Sequence, residues 1–219
     1  MRLTRPALVL CATLFLGAQE PLPLKLPQPV SGGMSLAETL AGRKTIRTLA
    51  GPGLTINEAG QLLWAAQGEN RPGHRTVPSA HAKYPLEFYL LTSGSATLAG
   101  GCYHYQPAGH QLVKVGDGSP SATLGKIKGM QPWIASAPAV FVVGGVPTRI
   151  DPTGKNPSLT FYEGGAAAQS LLLQAVALGL DAGTAAGINM EAVAQAMKLP
   201  SGTQSMMVLP VGREKSPNS

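Results

Sequence analysis

At 219 residues the chain is long enough for one compact domain with its own hydrophobic core, and too short for two full domains. Its 44% hydrophobic and 13% charged residues are typical of a folded protein and exclude an intrinsically disordered chain. The net charge of +6 would suit a polyanionic partner, but the cations are scattered and only 5% of the residues are aromatic, which disfavours nucleic-acid binding.

The first eighteen residues have the pattern of an export signal. Arg2 and Arg5 precede an apolar run, residues 7–16, that is too short to span a bilayer as a stable helix, and small residues follow it. We therefore expect a signal peptide over residues 1–18 and an exported protein, periplasmic or secreted, without a stable membrane span; a buried N-terminal helix is the alternative. Residues 19–33 contain four prolines and predict an extended Pro-rich arm.

Two short helices are predicted next, over residues 35–42 and 55–66. Each opens with a hydroxyl residue followed three residues later by a glutamate, which is the spacing of a capping box. In the second helix the apolar side chains also recur at helical spacing. The polar residues 68–74 that follow predict a loop.

Apolar runs bounded by turn residues predict a sheet in the middle of the chain. The predicted strands are, in chain order, 86–92, 101–106, 111–115 and 139–143. The second and third should pair around a Pro-Ala-Gly turn. The fourth is continuously apolar, so it should be central and covered on both faces. Between the third and fourth strands, residues 119–130 predict a helix with Pro120 at its first position.

The C-terminal half predicts two more helices and a last strand. Residues 163–180 are rich in alanine and leucine almost all round, which is typical of a buried helix. A further amphipathic helix is predicted over 190–199 and a strand over 205–211. This order of elements predicts an α+β fold, with a central mixed or antiparallel sheet covered by helices.

Several familiar sites are absent from the sequence. It has no glycine-rich Rossmann motif, no P-loop and no Gly-x-Ser-x-Gly nucleophile motif. The four histidines lack metal-ligand spacing, so no metal site is expected. Without residues 1–18 the only cysteine is Cys102, which its strand position predicts to be a small buried side chain.

Three cations and a hydroxyl follow the first predicted helix within five residues: Arg43, Lys44, Thr45 and Arg47. Hydrogen-bond donors that converge from different directions suit a terminal phosphate. The alternative is a solvated helix end, because the helix dipole favours cations there.

A second polar turn leads directly into the strand at 86–92. It reads Pro78-Ser79-Ala80-His81-Ala82-Lys83-Tyr84-Pro85, with a proline at each end that stiffens it. The alternative is a simple loop at the entry to a strand. These two blocks, with Leu-Leu-Trp-Ala-Ala-Gln-Gly over residues 62–68, resemble the nitroreductase family of FMN-dependent oxidoreductases. The likeness is greatest to its SagB/ThcOx-type dehydrogenases, the azoline-oxidase branch.

The resemblance implies roles for twelve residues. Those that would grip the FMN phosphate and ribityl chain are Arg43, Lys44, Thr45 and Arg47, with Arg213 as a further phosphate ligand. Those that would lie along the flavin ring and ribityl chain are Pro78, Ser79, Ala80 and His81, with Lys83 close by. Those whose backbone amides would face the flavin N5 and O4 are Ala186 and Gly187. The flavin-binding domain would cover residues 34–213, followed by a short tail, 214–219.

The resemblance also implies a homodimer with the flavin at the subunit interface. The helix predicted over 163–180 is similar to the family's dimer helix. It matches at Glu163, Gly165, Ala167, Ala168, Gln169 and Leu171, and departs at Ala166 and Ser170, where histidine and asparagine are usual. Small residues would let two backbones approach across a two-fold axis. An ordinary core helix explains the same composition equally well.

The implied function is a ping-pong hydride transfer through flavin N5, from a reduced nicotinamide to a nitroaromatic or quinone, with no catalytic side chain required. The azoline-oxidising members need a Lys-Tyr pair before the long helix. This chain has Lys155 there without the tyrosine, so peptide azoline oxidation is not expected. Two alternatives are an exported or degenerate flavin-binding member without turnover, and a small periplasmic binding domain whose motif matches are accidental.

Overall fold

A computed structural model describes residues 21–215, so the predicted signal peptide at 1–18 and most of the predicted tail lie outside the described residues. The strands are β1 (Leu24–Lys25), β2 (Leu49–Ala50), β3 (Glu69–Arg71), β4 (His74–Arg75), β5 (Leu86–Thr92), β6 (Gly101–Gln106), β7 (Gln111–Gly116), β8 (Ala139–Gly145), β9 (Asp181–Ala182) and β10 (Gln204–Glu214). The helices are α1 (Leu36–Gly42), α2 (Ile56–Gln67), α3 (Pro120–Leu124), α4 (Pro132–Ala135), α5 (Ser158–Ala177) and α6 (Met190–Ala196).

One sheet organises the domain, with the strand order β1-β7-β6-β5-β8-β10-β2 and with β9 beside β10. Each pairing within it is antiparallel. Strands β5 and β8 pair along their whole length, from Leu86 opposite Gly145 to Thr92 opposite Ala139. The predicted α+β fold with a central sheet covered by helices is therefore confirmed.

Strand β8 shows how the sheet divides the core into two layers. Ala139, Phe141 and Val143 pack with α2 and α5 on one face, whereas Val140 and Val142 pack with α3, α4 and α6 on the other. This alternation follows from the two-residue period of a strand. Every residue of β8 is buried, so the prediction of a central strand is confirmed.

Both predicted capping boxes form. The Ser35 and Thr55 side chains accept hydrogen bonds from the amides of Glu38 and Glu58, and each glutamate carboxylate accepts from the amide of its own cap residue. A cap of this kind contributes about 1 kcal/mol to the stability of its helix. The sequence signal is local, and the local geometry therefore follows it.

Two predicted elements differ from the structure. Of the helix predicted over 119–130 only α3 forms: it stops before Gly125, the chain turns at Gly129 with a φ of 81°, and α4 begins beyond the predicted range. The loop predicted over 68–74 contains a small antiparallel hairpin of β3 and β4. Its turn at Gly73 has a φ of 72°, a conformation that glycine adopts without a steric penalty.

Two predicted helices have different limits. The long helix begins at Ser158, five residues before the predicted start, where the Ser158 amide donates to Asn156 Oδ1 at 3.1 Å. It ends at Ala177 because Gly179 turns the chain with a φ of 68°. Helix α6 stops at Ala196, shortly before Lys198 takes a left-handed φ of 53°.

The predicted Pro-rich arm lies against the domain in its described part. Strand β1 pairs with β7, and the Leu26 amide donates to the His110 carbonyl at 3.0 Å. Further on, the Val30 backbone exchanges two hydrogen bonds with the Gln61 side chain. Between residues 21 and 215, no helix has the length and apolarity that crossing a membrane requires.

Candidate active site

The cationic segment, residues 43–47, crosses the end of the sheet as extended chain after α1. Its fourth residue, Ile46, is buried, and the Ile46 amide donates to the Ala182 carbonyl at 3.0 Å. Anchoring Ile46 leaves Lys44 and Arg47 exposed and Arg43 and Thr45 half-buried. The segment is thus held by its backbone, while its cationic side chains reach towards solvent.

The C-terminal end of β10 joins this segment. Arg213 pairs with Ala50 in the sheet, and the Lys215 amide donates to the Thr48 carbonyl at 2.7 Å. Lys44 Nζ lies 3.5 Å from Glu214 Oε2, in an exposed ion pair that contributes little stability. The structure therefore brings together two blocks that are 166 positions or more apart in the chain, as a shared phosphate site would require.

Arg213 has spare hydrogen-bonding capacity. Its Nη2 lies 2.6 Å from Glu58 Oε1, but its Nη1 is buried and has no partner among the described residues. A buried donor without a partner is uncommon, because the lost hydration costs free energy. A phosphate oxygen would satisfy this nitrogen, so the site fits the phosphate end of FMN.

Ala186 and Gly187 follow a residue that bridges to β10. Both are exposed, and the preceding residue, Ala185, forms a bridge with Val208 of β10. Arg213 is five residues beyond Val208, which corresponds to about 16 Å along a strand. That separation is comparable to the length of an extended riboflavin phosphate, so the predicted phosphate and N5 contacts are compatible within one protomer.

The 78–85 turn is strained. His81, Ala82 and Tyr84 have φ values of 54°, 53° and 46°, in the left-handed region that non-glycine residues seldom occupy. Ser79 Oγ accepts from the Tyr84 amide at 2.8 Å and closes the turn, while His81 and Lys83 remain exposed. Conformations of this kind persist only where the surroundings enforce them, and they concentrate at functional sites.

Glu163 supports this turn from below. Its side chain is 2% exposed, its Oε1 accepts from the Ala80 amide at 2.7 Å, and its Oε2 has no partner among residues 21–215. In the sequence, Glu163 is only one of the matches in the long helix and has no predicted role. The signal that could have identified it is a lone carboxylate among the alanines and leucines of a buried helix.

The two predicted flavin blocks lie far apart in one protomer. The turn contacts α5 at Glu163, whereas a Cβ on Gly42 of α1, next to Arg43, would lie 3.0 Å from Val176 at the other end of α5. Thirteen residues of α-helix separate these contacts by about 20 Å. One protomer therefore does not bring Ser79 and Arg43 together.

A large groove among the described residues lies on the opposite side of the sheet from the 78–85 turn and contains none of the twelve predicted residues. It is a groove of about 1140 Å³ over β5 and β6, bounded by the loop after β7 and by α6. Burial raises the pKa of Tyr89 to about 12 and that of Cys102 to about 11, so both stay protonated and unreactive. The prediction that Cys102 is a buried, small side chain is confirmed.

A carboxylate lies at one end of this groove. Glu87 Oε2 is 2.6 Å from His104 Nε2, and Glu87 Oε1 pairs with Arg149. Burial alone would raise the pKa of Glu87, but the His104 hydrogen bond and the Arg149 charge hold it below its usual value. Over residues 21–215, no three His, Cys, Asp or Glu side chains converge as metal ligands would.

Comparison with known proteins identifies the family. The model of the nitroreductase family matches residues 40–213. A protein of Methanocaldococcus jannaschii assigned as a nitroreductase is 28% identical over 184 residues, which are 83% of this chain and 92% of that protein. Both comparisons cover the cationic segment, the 78–85 turn and α5.

Solved structures show the same fold. A structure from Ralstonia eutropha JMP134 assigned as a nitroreductase superposes with a TM-score of 0.77 at 27% identity, covering 99% of this chain and 96% of that one. A chain of the Escherichia coli microcin synthetase McbBCD complex superposes with a TM-score of 0.65 at 20% identity, covering 97% and 85%. From the family match over most of its length, the chain belongs to the nitroreductase family of oxidoreductases.

Proposed function

We propose that the protein is an FMN-dependent oxidoreductase whose flavin phosphate is held by the cationic segment and Arg213. The observation that carries this proposal is the Nη1 of Arg213, which is buried and has no partner among the described residues, at the end of β10 where the next residue, Glu214, pairs with Lys44 of the cationic segment. Convergent charged donors of this kind are the usual means by which proteins bind phosphate. Because the family typically uses a flavin, we assign this phosphate to FMN.

The chemistry that bound FMN would supply is hydride transfer at N5, from a reduced nicotinamide to a small acceptor such as a nitroaromatic or quinone, in a ping-pong cycle. The protein's contribution is positioning and charge. The backbone of Ala186 and Gly187 would face the ring, Arg213 and Arg43 would hold the phosphate, and Ser79 would lie along the ribityl chain. No side chain has to act as an acid or a base.

The working unit that we propose is a two-fold dimer packed through α5. If two copies of α5 run antiparallel, the 78–85 turn of one copy comes beside the cationic segment of the other, which removes the separation of about 20 Å found in one protomer. The outer surface of α1 and α5 supports this arrangement. It exposes the apolar side chains of Leu36, Leu40, Phe161 and Tyr162.

We also propose the SagB/ThcOx-like branch and an exported location. The 62–68 and 78–85 blocks support the branch, although the missing tyrosine after Lys155 separates this chain from azoline oxidation. The charged start and apolar run of residues 1–18 support export. Mass spectrometry of the protein recovered from the periplasm or culture medium tests this, and a chain that retains residue 1 would contradict it.

A visible spectrum tests the cofactor. The purified domain should acquire the yellow absorption bands of a flavoprotein when FMN is added, and it should elute as a dimer in size-exclusion chromatography. A colourless protein that ignores added FMN would contradict the proposal. If flavin binds, anaerobic mixing with NADH and NADPH separates an enzyme, whose flavin is bleached, from a carrier without turnover, whose flavin is not.

A further inference from the structure

A second, smaller cavity lies beside the 78–85 turn. Its volume is about 440 Å³, within the range of small-molecule pockets. One wall is the β3–β4 hairpin, which contributes Arg71, His74 and Arg75, and the other is the turn, which contributes Ser79 and Tyr84. Among the described residues, no aspartate or glutamate lines this cavity. Its lining is thus rich in donors and has no negative charge.

Arg75 is fixed within this wall. Its Nη1 donates to Gln67 Oε1 at 2.8 Å, and its guanidinium lies 4.5 Å from the centre of the Tyr84 ring. Burial lowers the pKa of Arg75, and the charge of Glu87 only partly opposes that effect. A cation held in a half-buried wall without a carboxylate in contact lowers the free energy of any anion that enters.

Arg71 and His74 complete the lining of hydrogen-bonding side chains from the hairpin. Both side chains are exposed, and the five ion pairs formed within residues 21–215 include neither of them. Arg71 can therefore turn its planar fork of donors to a carboxylate or phosphate without losing an existing partner.

The cavity is continuous with the proposed flavin contact because Pro78 and Ser79 belong to both. The Glu163 hydrogen bond to Ala80 fixes that shared turn, so the cavity wall is held in place. If a substrate reacts at the flavin beside Ser79, the end of the substrate away from the reacting atoms would lie in this cavity, next to the hairpin. The cations there lie where they would meet a charged substituent away from the reacting atoms.

We propose that Arg71, with His74 and Arg75, forms an oxyanion subsite that selects substrates carrying a carboxylate or a phosphate. This inference rests on the proposed oxidoreductase function. Two sources can supply the oxyanion: a carboxylate on the acceptor, or the phosphates of the reduced nicotinamide dinucleotide. Both use the same charge-assisted hydrogen bonds, and the two are separated by experiment.

The acceptor arm compares 4-nitrobenzoate with neutral 4-nitrobenzamide, using the same donor. The native enzyme should prefer the carboxylate, and Arg71→Gln should reduce the ratio of the two kcat/KM values about tenfold. This is the lower end of the free-energy range for a hydrogen bond to a charged group, because water partly screens an exposed arginine. The donor arm measures reduction of the bound flavin by NADH under anaerobic conditions. If the dinucleotide phosphates occupy the subsite, Arg71→Gln slows this reduction and leaves the acceptor ratio unchanged.

The matched control is Lys126→Gln, which removes an exposed cation beside the groove on the opposite face of the sheet. It should change neither arm, whereas Arg71→Lys should restore part of the preference. A flavin-loaded Arg71→Gln enzyme with an unchanged acceptor ratio and unchanged NADH reduction would overturn the subsite.

Calorimetry separates failure of the subsite from failure of the proposed function. Benzoate and inorganic pyrophosphate are titrated into the native protein and into Arg71→Gln, with or without flavin. If the native protein takes up no FMN but binds a probe, and Arg71→Gln weakens that binding, the subsite proposal is supported and the flavin proposal is contradicted. Absence of binding by either probe to the native protein would reject the subsite whatever the flavin result.

Discussion

At the scale of single residues, three buried polar atoms carry most of the functional argument. Arg213 Nη1 and Glu163 Oε2 lack partners among residues 21–215, and the Ala80 amide has Glu163 as its acceptor. Buried polar groups are normally paired, so an unpaired one indicates a ligand or a bound water. The first atom lies at the proposed phosphate site and the second lies under the turn, and in the proposed dimer these two positions of one flavin site come from different subunits.

Reversing the charge of Arg43 should abolish FMN retention. Arg43→Glu removes a donor and adds a repulsive charge beside the phosphate, so we expect affinity to fall by at least about 100-fold, the effect of losing one charged hydrogen bond at the upper end of its range. Fluorescence titration with FMN measures this. The melting temperature should change little because Arg43 lies at a half-exposed helix end; unchanged FMN affinity would reject the phosphate assignment.

Removing the Glu163 carboxylate should destabilise the 78–85 turn. Glu163→Ala leaves the Ala80 amide without its acceptor and should lower the free energy of unfolding by about 1–3 kcal/mol. Glu163→Gln keeps an oxygen acceptor and should cost less. Urea unfolding of the two variants measures the difference, and equal stabilities would show that the Ala80 hydrogen bond does not hold the turn.

At the scale of elements, the N-terminal arm is attached to the sheet through His110. His110 Nδ1 lies 2.8 Å from the Tyr105 hydroxyl, the His110 carbonyl accepts from Leu26, and Nε2 is buried without a partner among the described residues. Burial lowers the pKa of His110, and a contact with the Pro27 backbone only partly offsets this. The arm is therefore attached next to an imidazole that favours its neutral form.

Stability should fall when the pH drops below about 6.5, the unfolded pKa of histidine, because the unfolded chain then binds a proton that folded His110 resists. This contribution is complete above pH 6.5 and is lost as the pH approaches the lower pKa of the folded state. Urea unfolding between pH 5 and pH 8 measures it. His110→Gln should remove this part of the pH dependence. The pKa of Glu87 is also lowered, but the stability that Glu87 contributes is complete above about pH 4.5 and is lost only below that pH.

At the scale of the whole molecule, we propose that the flavin site forms where two copies meet. One protomer separates Ser79 from Arg43 by about 20 Å along α5 and exposes apolar side chains beside it. Gly165 lies on the outer face of α5, and a Cβ there would meet no atom within 4 Å. A large side chain at this position should not disturb the fold of the protomer, but it should prevent close packing of two α5 helices.

Gly165→Arg should therefore give a folded monomer that has lost its flavin. The helix itself should gain stability, since glycine in a helix interior is about 1 kcal/mol less favourable than other residues. Sedimentation equilibrium and the flavin absorption band measure the two effects together. Gly165→Ala is the matched control and should remain a yellow dimer; a dimeric Gly165→Arg protein would place the interface elsewhere.

The sequence by itself determined the features whose causes are local. Ser35 and Thr55 begin their helices because the glutamate three residues on completes each cap, and β8 is central because an uninterrupted apolar strand must be covered on both faces. The cationic segment and the 78–85 turn were also recognisable, since their residue types and spacing suit a phosphate and a stiff loop. The family match over residues 40–213 includes both blocks.

Only the tertiary structure decided which distant residues meet. It paired the end of β10 with β2 so that Glu214, next to Arg213, contacts Lys44 of the cationic segment. It also gave Glu163 the Ala80 amide and folded residues 69–75 into a hairpin that lines a cationic cavity. It also set the two flavin blocks at opposite ends of α5, which points to a partner subunit. These contacts join residues far apart in the chain, and the energy that fixes them comes from packing and burial, which short-range residue patterns do not encode.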